Sequence, residues 1–125
     1  RAGAAVLVVA PEATEEIARM AADGRIRWLP ERYHSSHLDG VFLAVAATDD
    51  GTVNALLAKE ARQRRVLLCD ASSAERSEVI FGAIHEDKGL VVAVFTDGED
   101  PSRSRRTRDR IAALLTEGEE PKEPW

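Results

Sequence analysis

Three short apolar runs constrain the fold of this chain more than any other feature of its sequence. They are AAVLVVA at residues 4–10, VFLAVAA at 41–47 and VLLC at 66–69. Each run is apolar throughout instead of alternating with polar residues, which is typical of strands buried on both faces of a parallel sheet. Because helical patterns separate the runs, we predict right-handed crossovers and an α/β fold.

Two amphipathic patterns between these runs predict the helices. Residues 14–22 place their apolar side chains on one stripe and end at Asp23-Gly24, whose glycine suits a left-handed helix end. Residues 52–64 repeat the pattern, with arginines near the negative end of the helix dipole. Residues 25–29, which precede the second apolar run, alternate in polarity and predict a half-exposed strand.

The remainder of the chain is rich in β-forming residues and then helical. Residues 79–85 and 90–96 predict two strands that either extend the sheet or form a hairpin. Asp100-Pro101 predicts the start of a helix that runs to about Leu115, with the aspartate as N-cap and the proline in the first turn. Residues 117–125 are acidic and contain glycine and proline, so we expect a disordered tail.

Composition excludes several classes of protein. A net charge of −5 over 125 residues leaves no overall basic footprint for nucleic acid. No apolar run approaches the roughly 20 residues that cross a bilayer. The lone cysteine, Cys69, excludes an internal disulfide and fits a reducing compartment. We therefore expect a cytoplasmic protein without a nucleic-acid or membrane partner.

Acidic side chains follow all three apolar runs, at the edge where open parallel sheets bind ligands, and Asp70 follows the third. Glu12 comes just after the first apolar run, and Thr48, Asp49 and Asp50 follow the second. A carboxylate in such a position takes the ribose hydroxyls of a dinucleotide, but an acid at a helix start also stabilises that helix. On the residues alone, either role fits Glu12, and capping is the better explanation of the aspartates. No glycine-rich GxGxxG loop occurs in the sequence.

His34 and His37 form the motif HSSH, whose spacing some metal sites use. The polar connector around them supplies no third ligand, so surface histidines are the simpler interpretation and we expect no metal site. The sequence also lacks the CxxC, HExxH, GxSxG and GxxxxGKS/T motifs. Their absence argues against zinc-ribbon, zincin, serine-hydrolase and P-loop proteins.

The segment SRSRRTRDR at residues 102–110 is strongly basic. Its five arginines fall in the first turns of a predicted helix, where the helix dipole disfavours cations. A solvated basic face is one interpretation. A polyanionic ligand or an acidic partner surface is the other, because guanidinium groups bind carboxylates through paired hydrogen bonds.

Taken together, these stretches resemble the precorrin-2 dehydrogenase/sirohydrochlorin ferrochelatase family, the N-terminal module of siroheme synthases. The resemblance spans roughly residues 1–116, and its most specific part is AATDDGTVN at residues 46–54. The supporting stretches are AGAAVLVVAPE, LCDASSAERSEVIFGA and LVVAVFTDGEDPSRSRRTRDRIAALL.

The resemblance implies a partial Rossmann-like NAD-binding domain over residues 1–78, a β-rich dimerisation region with a helix over 79–116, and a tail over 117–125. It implies a homodimer that oxidises precorrin-2 to sirohydrochlorin by hydride transfer to NAD, with iron inserted into the product in many members. Carried over by position, the cofactor-binding residues are Pro11, Glu12, Thr48 and Asp49. A tetrapyrrole rich in carboxylates is expected to contact Thr96, Arg103 and Arg106.

Departures from the family pattern bear on catalysis. The family's catalytic aspartate falls on Ser72 in the ungapped match, and a serine cannot act as a carboxylate base. Asp70, two residues earlier on the same side of an extended strand, is the candidate substitute. The family's first strand, glycine-rich loop and C-terminal helical domain have no counterpart in this sequence, so we expect an upstream element.

These departures leave two alternatives open. Ser72 favours a catalytically degenerate homologue that binds a tetrapyrrole, or regulates its synthesis, without turnover. An unrelated Rossmann-like domain that uses Asp49 and Asp50 purely as helix caps is the other alternative.

Overall fold

The computed structural model describes residues 3–97 and 100–117, and its elements follow the predicted order. The chain forms two compact units, Arg1–Phe42 and Leu43–Trp125. The first contains β1 (Leu7–Val9), α1 (Glu15–Ala22), β2 (Arg27–Leu29) and a 3₁₀ turn (Ser35–Leu38). The second contains β3 (Leu43–Ala46), α2 (Gly51–Gln63), β4 (Leu67–Asp70), β5 (Ala83–Asp87), β6 (Leu90–Val94) and α3 (Pro101–Glu117).

The first unit is built on a βαβ motif. β1 and β2 pair in parallel, as the crossover through α1 predicts. Thr14 begins the helix, because its hydroxyl accepts the Ile17 backbone N–H at 3.3 Å. Gly24 ends it in the left-handed conformation, at a φ of 73°.

The second unit repeats this motif with β3, α2 and β4. β3 and β4 are parallel, and α2 packs against both strands. Asp50 is the N-cap of α2, since its Oδ1 accepts the backbone N–H groups of Thr52 at 2.9 Å and Val53 at 3.4 Å. The helix ends through a left-handed residue, as α1 does, but that residue is Arg65, at a φ of 56°.

The β-rich region is a hairpin covered by a helix, so the second of the two sequence alternatives is correct. β5 and β6 pair antiparallel around Lys88 and Gly89, whose φ values of 47° and 83° are typical of a type I′ turn. α3 packs on both strands, and the Asp100 carboxylate caps its first turn by accepting the Arg103 backbone N–H at 2.8 Å. The helix extends to Glu117, two residues beyond the predicted end, and the rest of the predicted tail lies outside the described residues.

Burial differs from the sequence expectation. The strands are not buried on both faces in this chain, because Leu7 is 37% exposed and Val45 is 53% exposed. In the second unit, α2 covers one face of the β3–β4 pair. The buried residues Ala46, Leu57 and Leu68 belong to this helix–sheet layer. In the described part of the chain, no helix combines the length and apolar character that spanning a membrane requires.

Candidate functional site

The turn after β3 is held by Asn54, which lies in the first turn of α2. Asn54 is only 1% exposed. Its Oδ1 accepts both the backbone N–H of Thr48 at 3.2 Å and the Thr48 hydroxyl at 2.6 Å. Its Nδ2 donates to the Thr48 carbonyl oxygen at 3.0 Å. One buried amide therefore holds three polar groups of Thr48 and fixes the edge of the strand.

The two aspartates of this turn have different roles. Asp50 caps α2 with its carboxylate, so the capping explanation accounts for it. Asp49 is exposed, and its side chain forms no hydrogen bond or ion pair with the other described residues. The turn thus presents one carboxylate, that of Asp49, to ligands or solvent.

The loop after β4 is organised around Asp70, whose side chain is fully buried. Its Oδ1 accepts the Ser72 hydroxyl at 2.6 Å and the Ser72 backbone N–H at 2.9 Å. Its Oδ2 accepts Nε of Arg76 at 2.7 Å. The backbone of Asp70 is also fixed, because its N–H donates to Oγ of Ser77 at 2.8 Å.

These contacts set the charge state of Asp70. Desolvation by burial alone would raise the pKa of this carboxyl. Hydrogen bonds from Ser72 and Arg76, together with the positive charge of Arg76, outweigh that effect and hold its pKa below the ordinary value. Asp70 is therefore a buried carboxylate that stays ionised at neutral pH.

Ser72 connects the two strand ends. The residue is exposed on the loop, while its hydroxyl donates inward to Asp70. The same oxygen accepts Nδ2 of Asn54 at 3.3 Å and lies 3.4 Å from Nη2 of Arg76. We refer to Thr48, Asn54, Asp70, Ser72 and Arg76 as the polar network.

The polar network includes two residues that sequence reasoning missed. Asn54 stands in the quoted AATDDGTVN signature, and a polar residue at an inward-facing helix position is a signal that could have revealed it. Arg76 gives no such signal, since it lies in an irregular loop where one arginine among polar residues is unremarkable in sequence. Only the folded loop brings its guanidinium to Asp70.

Pro11 and Glu12 lie in the first unit, in the turn between β1 and α1. The turn is anchored at Ala10, whose carbonyl oxygen accepts Nε1 of Trp28 at 2.9 Å. Glu12 is exposed, and its side chain forms no bond with the other described residues. It lies just beyond the carboxyl end of a parallel strand, the edge where carboxylates accept the ribose hydroxyls of dinucleotides. Glu12 is thus an exposed carboxylate at a strand end, as Asp49 is.

The two histidines of the HSSH motif act in local structure. His34 is the N-cap of the 3₁₀ turn, since its Nδ1 accepts the Ser36 backbone N–H at 3.1 Å. Nδ1 of His37 accepts the His34 backbone N–H at 2.9 Å, and its Nε2 lies 2.5 Å from Oε1 of Glu31. The described residues contain no cluster of metal-ligating side chains.

The remaining sequence candidates lie around the start of α3. The Thr96 hydroxyl donates to the Asp100 carbonyl oxygen at 2.9 Å and accepts Oγ of Ser104 at 3.2 Å, so it joins the end of β6 to the helix. Arg103 and Arg106 are exposed. Their side chains form no ion pair with the other described residues.

Comparisons with known proteins agree with this architecture. A family model described as NAD(P)-binding matches residues 1–83. The siroheme synthase of Chromobacterium violaceum is 43% identical over 94% of this chain, and siroheme synthase 1 of Serratia proteamaculans is 38% identical over 92%. These matches cover 25% and 24% of the relatives, so the chain spans about a quarter of the length of the curated relatives it matches.

A solved structure shows the same relationship. The precorrin-2 dehydrogenase SirC superposes with a TM-score of 0.74 at 30% identity, over 90% of this chain and 55% of that protein. The predicted Rossmann-like α/β fold and the resemblance to siroheme synthases are both confirmed. The chain belongs to the NAD(P)-binding family whose model it matches, and its relatives are siroheme synthases and a precorrin-2 dehydrogenase.

Proposed function

We propose that this chain is the dehydrogenase module of siroheme biosynthesis and oxidises precorrin-2 to sirohydrochlorin with NAD. The observation that carries the proposal is its 43% identity, over 94% of its length, to a siroheme synthase. The 30% identity to a precorrin-2 dehydrogenase over 90% of the chain supports the dehydrogenase step. Residues 1–78 would bind the cofactor and residues 79–116 would form the dimer.

Two turns, each considered by itself, carry the residues proposed to bind the cofactor: Pro11 and Glu12 follow β1, and Thr48 and Asp49 follow β3. Glu12 is an exposed carboxylate suited to ribose hydroxyls, and Asp49 is an exposed carboxylate that would border the cofactor. The Thr48 hydroxyl bonds within its own turn, so its part would be to fix the backbone next to Asp49. NAD supplies the hydride acceptor when bound.

Ser72 and Asp70 would together handle the proton that the substrate releases. Asp70 is buried and cannot touch a ligand, whereas Ser72 is exposed and points its hydroxyl hydrogen at the Asp70 carboxylate. A proton from the substrate would pass to Oγ of Ser72 while the hydroxyl proton of Ser72 passes to Oδ1 of Asp70. In this arrangement Asp70 is the base and Ser72 is the group that contacts the substrate.

The test is formation of NADH from precorrin-2 and NAD, measured together with tetrapyrrole binding. The expected result is turnover by the natural chain, and a loss of turnover of at least about 100-fold with retained binding in Asp70→Asn. Ser72→Thr keeps the hydroxyl and serves as the conservative control, for which we expect partial activity. Binding of tetrapyrrole without any turnover by the natural chain would contradict the enzyme assignment.

A second candidate function rests on the Arg76 contact. Arg76 helps to lower the pKa of Asp70, and a weakly basic carboxylate is a poor proton acceptor. This favours a homologue that binds a tetrapyrrole, or regulates its synthesis, without turnover. The same assay separates the two functions, because the degenerate homologue binds but produces no NADH.

We also propose that the chain forms a homodimer, with the hairpin of β5 and β6 at the interface. One face of the hairpin packs on α3 around the buried Ala83, while the opposite face carries Ile84, Val91 and Phe95, which are 50%, 60% and 60% exposed. A second copy of the chain would cover this apolar face. Sedimentation should show that Val91→Glu yields monomers, whereas Leu114→Glu, at a 68% exposed position on α3, leaves the dimer intact.

Thr96, Arg103 and Arg106 are proposed to bind the tetrapyrrole, and iron would enter the product as a second substrate. Equilibrium binding to Arg103→Gln/Arg106→Gln tests the first point, and metal insertion into sirohydrochlorin tests the second. The lone cysteine supports a cytoplasmic location. Fractionation of cells that express the full-length protein tests that location.

A further inference from the structure

A cleft lies between β5 and the first turns of α3. Its volume is about 200 Å³. The strand side is lined by Phe81, Ala83 and Ile84, and the helix side by Ser104, Arg105 and Arg108. Phe81 is 59% exposed, so an exposed apolar side chain borders the cleft.

Two arginines of α3, Arg105 and Arg108, line this cleft. Arg105 and Arg108 are three residues apart and lie on the same side of α3 as Ser104. Nη2 of Arg105 donates to Oγ of Ser102 at 3.3 Å. Arg108 is partly neutralised by Asp109, whose Oδ1 accepts its Nε at 3.0 Å and its Nη2 at 2.9 Å. A guanidinium carries five N–H donors, so both side chains keep donors for an anionic group.

The size of the cleft limits what it can hold. Sites that enclose a whole small-molecule ligand measure about 300–1,000 Å³. A cleft of about 200 Å³ is smaller, so it suits one arm of a ligand and not an entire macrocycle. Two guanidinium groups select a carboxylate at the tip of that arm, and the apolar wall suits its methylene groups.

We propose that this cleft binds one carboxylate arm of the tetrapyrrole, with Arg105 and Arg108 holding the carboxylate and Phe81 packing against the methylene groups. The inference rests on the proposed function, since it concerns the same substrate class. It names a pair of arginines other than Arg103 and Arg106, which do not line the cleft.

The test uses uroporphyrin, a stable porphyrin with carboxylates on both arms of every pyrrole ring. Its affinity for the chain is measured at fixed salt for the natural protein and for Arg105→Gln/Arg108→Gln. We expect a loss of at least about tenfold, because hydrogen bonds between two charged groups are stronger than those between neutral groups. The control Arg62→Gln/Arg110→Gln removes two positive charges at exposed positions outside the cleft lining, so its affinity should change less than about twofold.

Several outcomes would overturn the cleft proposal. An equal loss in the control would show diffuse attraction instead of a site. A larger loss in Arg103→Gln/Arg106→Gln would move the contact to these two arginines, which lie outside the cleft lining. A parallel loss of NAD affinity in the cleft variant would assign the cleft to the dinucleotide. Failure of the natural chain to bind uroporphyrin and sirohydrochlorin would instead contradict the proposed function itself.

Discussion

The hydroxyl of Ser72 donates to Oδ1 of the buried Asp70 across 2.6 Å. The family resemblance places a catalytic aspartate at position 72, but in this chain the carboxylate lies two residues earlier and beneath the serine. The polar network thus retains a carboxylate at the strand end and covers it with a hydroxyl. Arg76, at 2.7 Å from the other oxygen, balances its charge.

Replacing Ser72 with aspartate is expected to destabilise the fold unless Asp70 is also changed. Ser72→Asp would place a second carboxylate against Oδ1 of Asp70 and remove its hydroxyl donor. We expect the free energy of unfolding to fall by about 2 kcal/mol. In Ser72→Asp/Asp70→Asn, one carboxylate remains within reach of Arg76, so stability should recover. Urea unfolding of both variants measures this, and equal loss in the two would contradict it.

The acid stability of the chain should depend on Asp70. Its pKa is lowered in the folded protein, so the ionised form stabilises the fold above the ordinary aspartate range. That contribution is lost as the pH falls from about 4 toward the folded pKa. We expect Asp70→Asn to be less stable than the natural chain at pH 7, with the difference shrinking below about pH 4. A pH-independent difference in unfolding free energy would contradict the assignment.

Asn54 is expected to be the most sensitive side chain of the network. Asn54→Ala removes the buried amide that bonds the backbone of Thr48 and donates to Oγ of Ser72. We therefore expect the free energy of unfolding to fall by about 2–3 kcal/mol. Asn54→Asp keeps the acceptor oxygen but loses the donor, and should be intermediate. Hydrogen exchange at the Thr48 amide reports the same change locally. Unaltered protection of that amide in Asn54→Ala would show that the turn holds without it.

Asp49 and Asp50 should separate stability from cofactor binding. Asp50→Ala removes the N-cap of α2 and should cost about 1 kcal/mol. Asp49→Ala removes an exposed carboxylate without a partner among the described residues, so stability should be unchanged. NAD affinity should fall in Asp49→Ala, measured by titration calorimetry. The converse pattern would assign the cofactor contact to Asp50.

Arg65 occupies a position where glycine is favoured. Its N–H donates to the Arg62 carbonyl at 3.2 Å, and the next N–H, of Val66, donates to Ala61 at 2.9 Å, which is the usual left-handed helix end. Because a side chain in this conformation costs roughly 1 kcal/mol, Arg65→Gly should raise the thermal midpoint. Gln63→Gly, inside the helix, is the matched control and should lower it.

Much of the fold could be predicted from sequence because its signals are local. Thr14, Asp50 and Asp100 each cap the helix that the pattern around them predicts. The choice between a hairpin and an extended sheet needed the structure, in which Lys88 and Gly89 both have positive φ values. Burial was the weaker prediction, because an apolar run such as VFLAVAA does not reveal how many elements cover it. Val45 remains 53% exposed in this chain.

Some features of the candidate site could likewise be predicted from the sequence, and others could not. By itself, the sequence determined the order of strands and helices, the polar residues at the strand ends, the family signature AATDDGTVN and the serine at position 72, because each is carried by neighbouring residues. Only the tertiary structure decided that Asp50 and not Asp49 caps α2, and that Arg76 and Asn54 meet around Asp70 and Ser72. The tertiary structure also places Arg105 and Arg108 in the lining of the cleft. The physical reason is that hydrogen bonding and charge pairing act over about 3 Å, and chain folding alone sets which distant groups reach that distance.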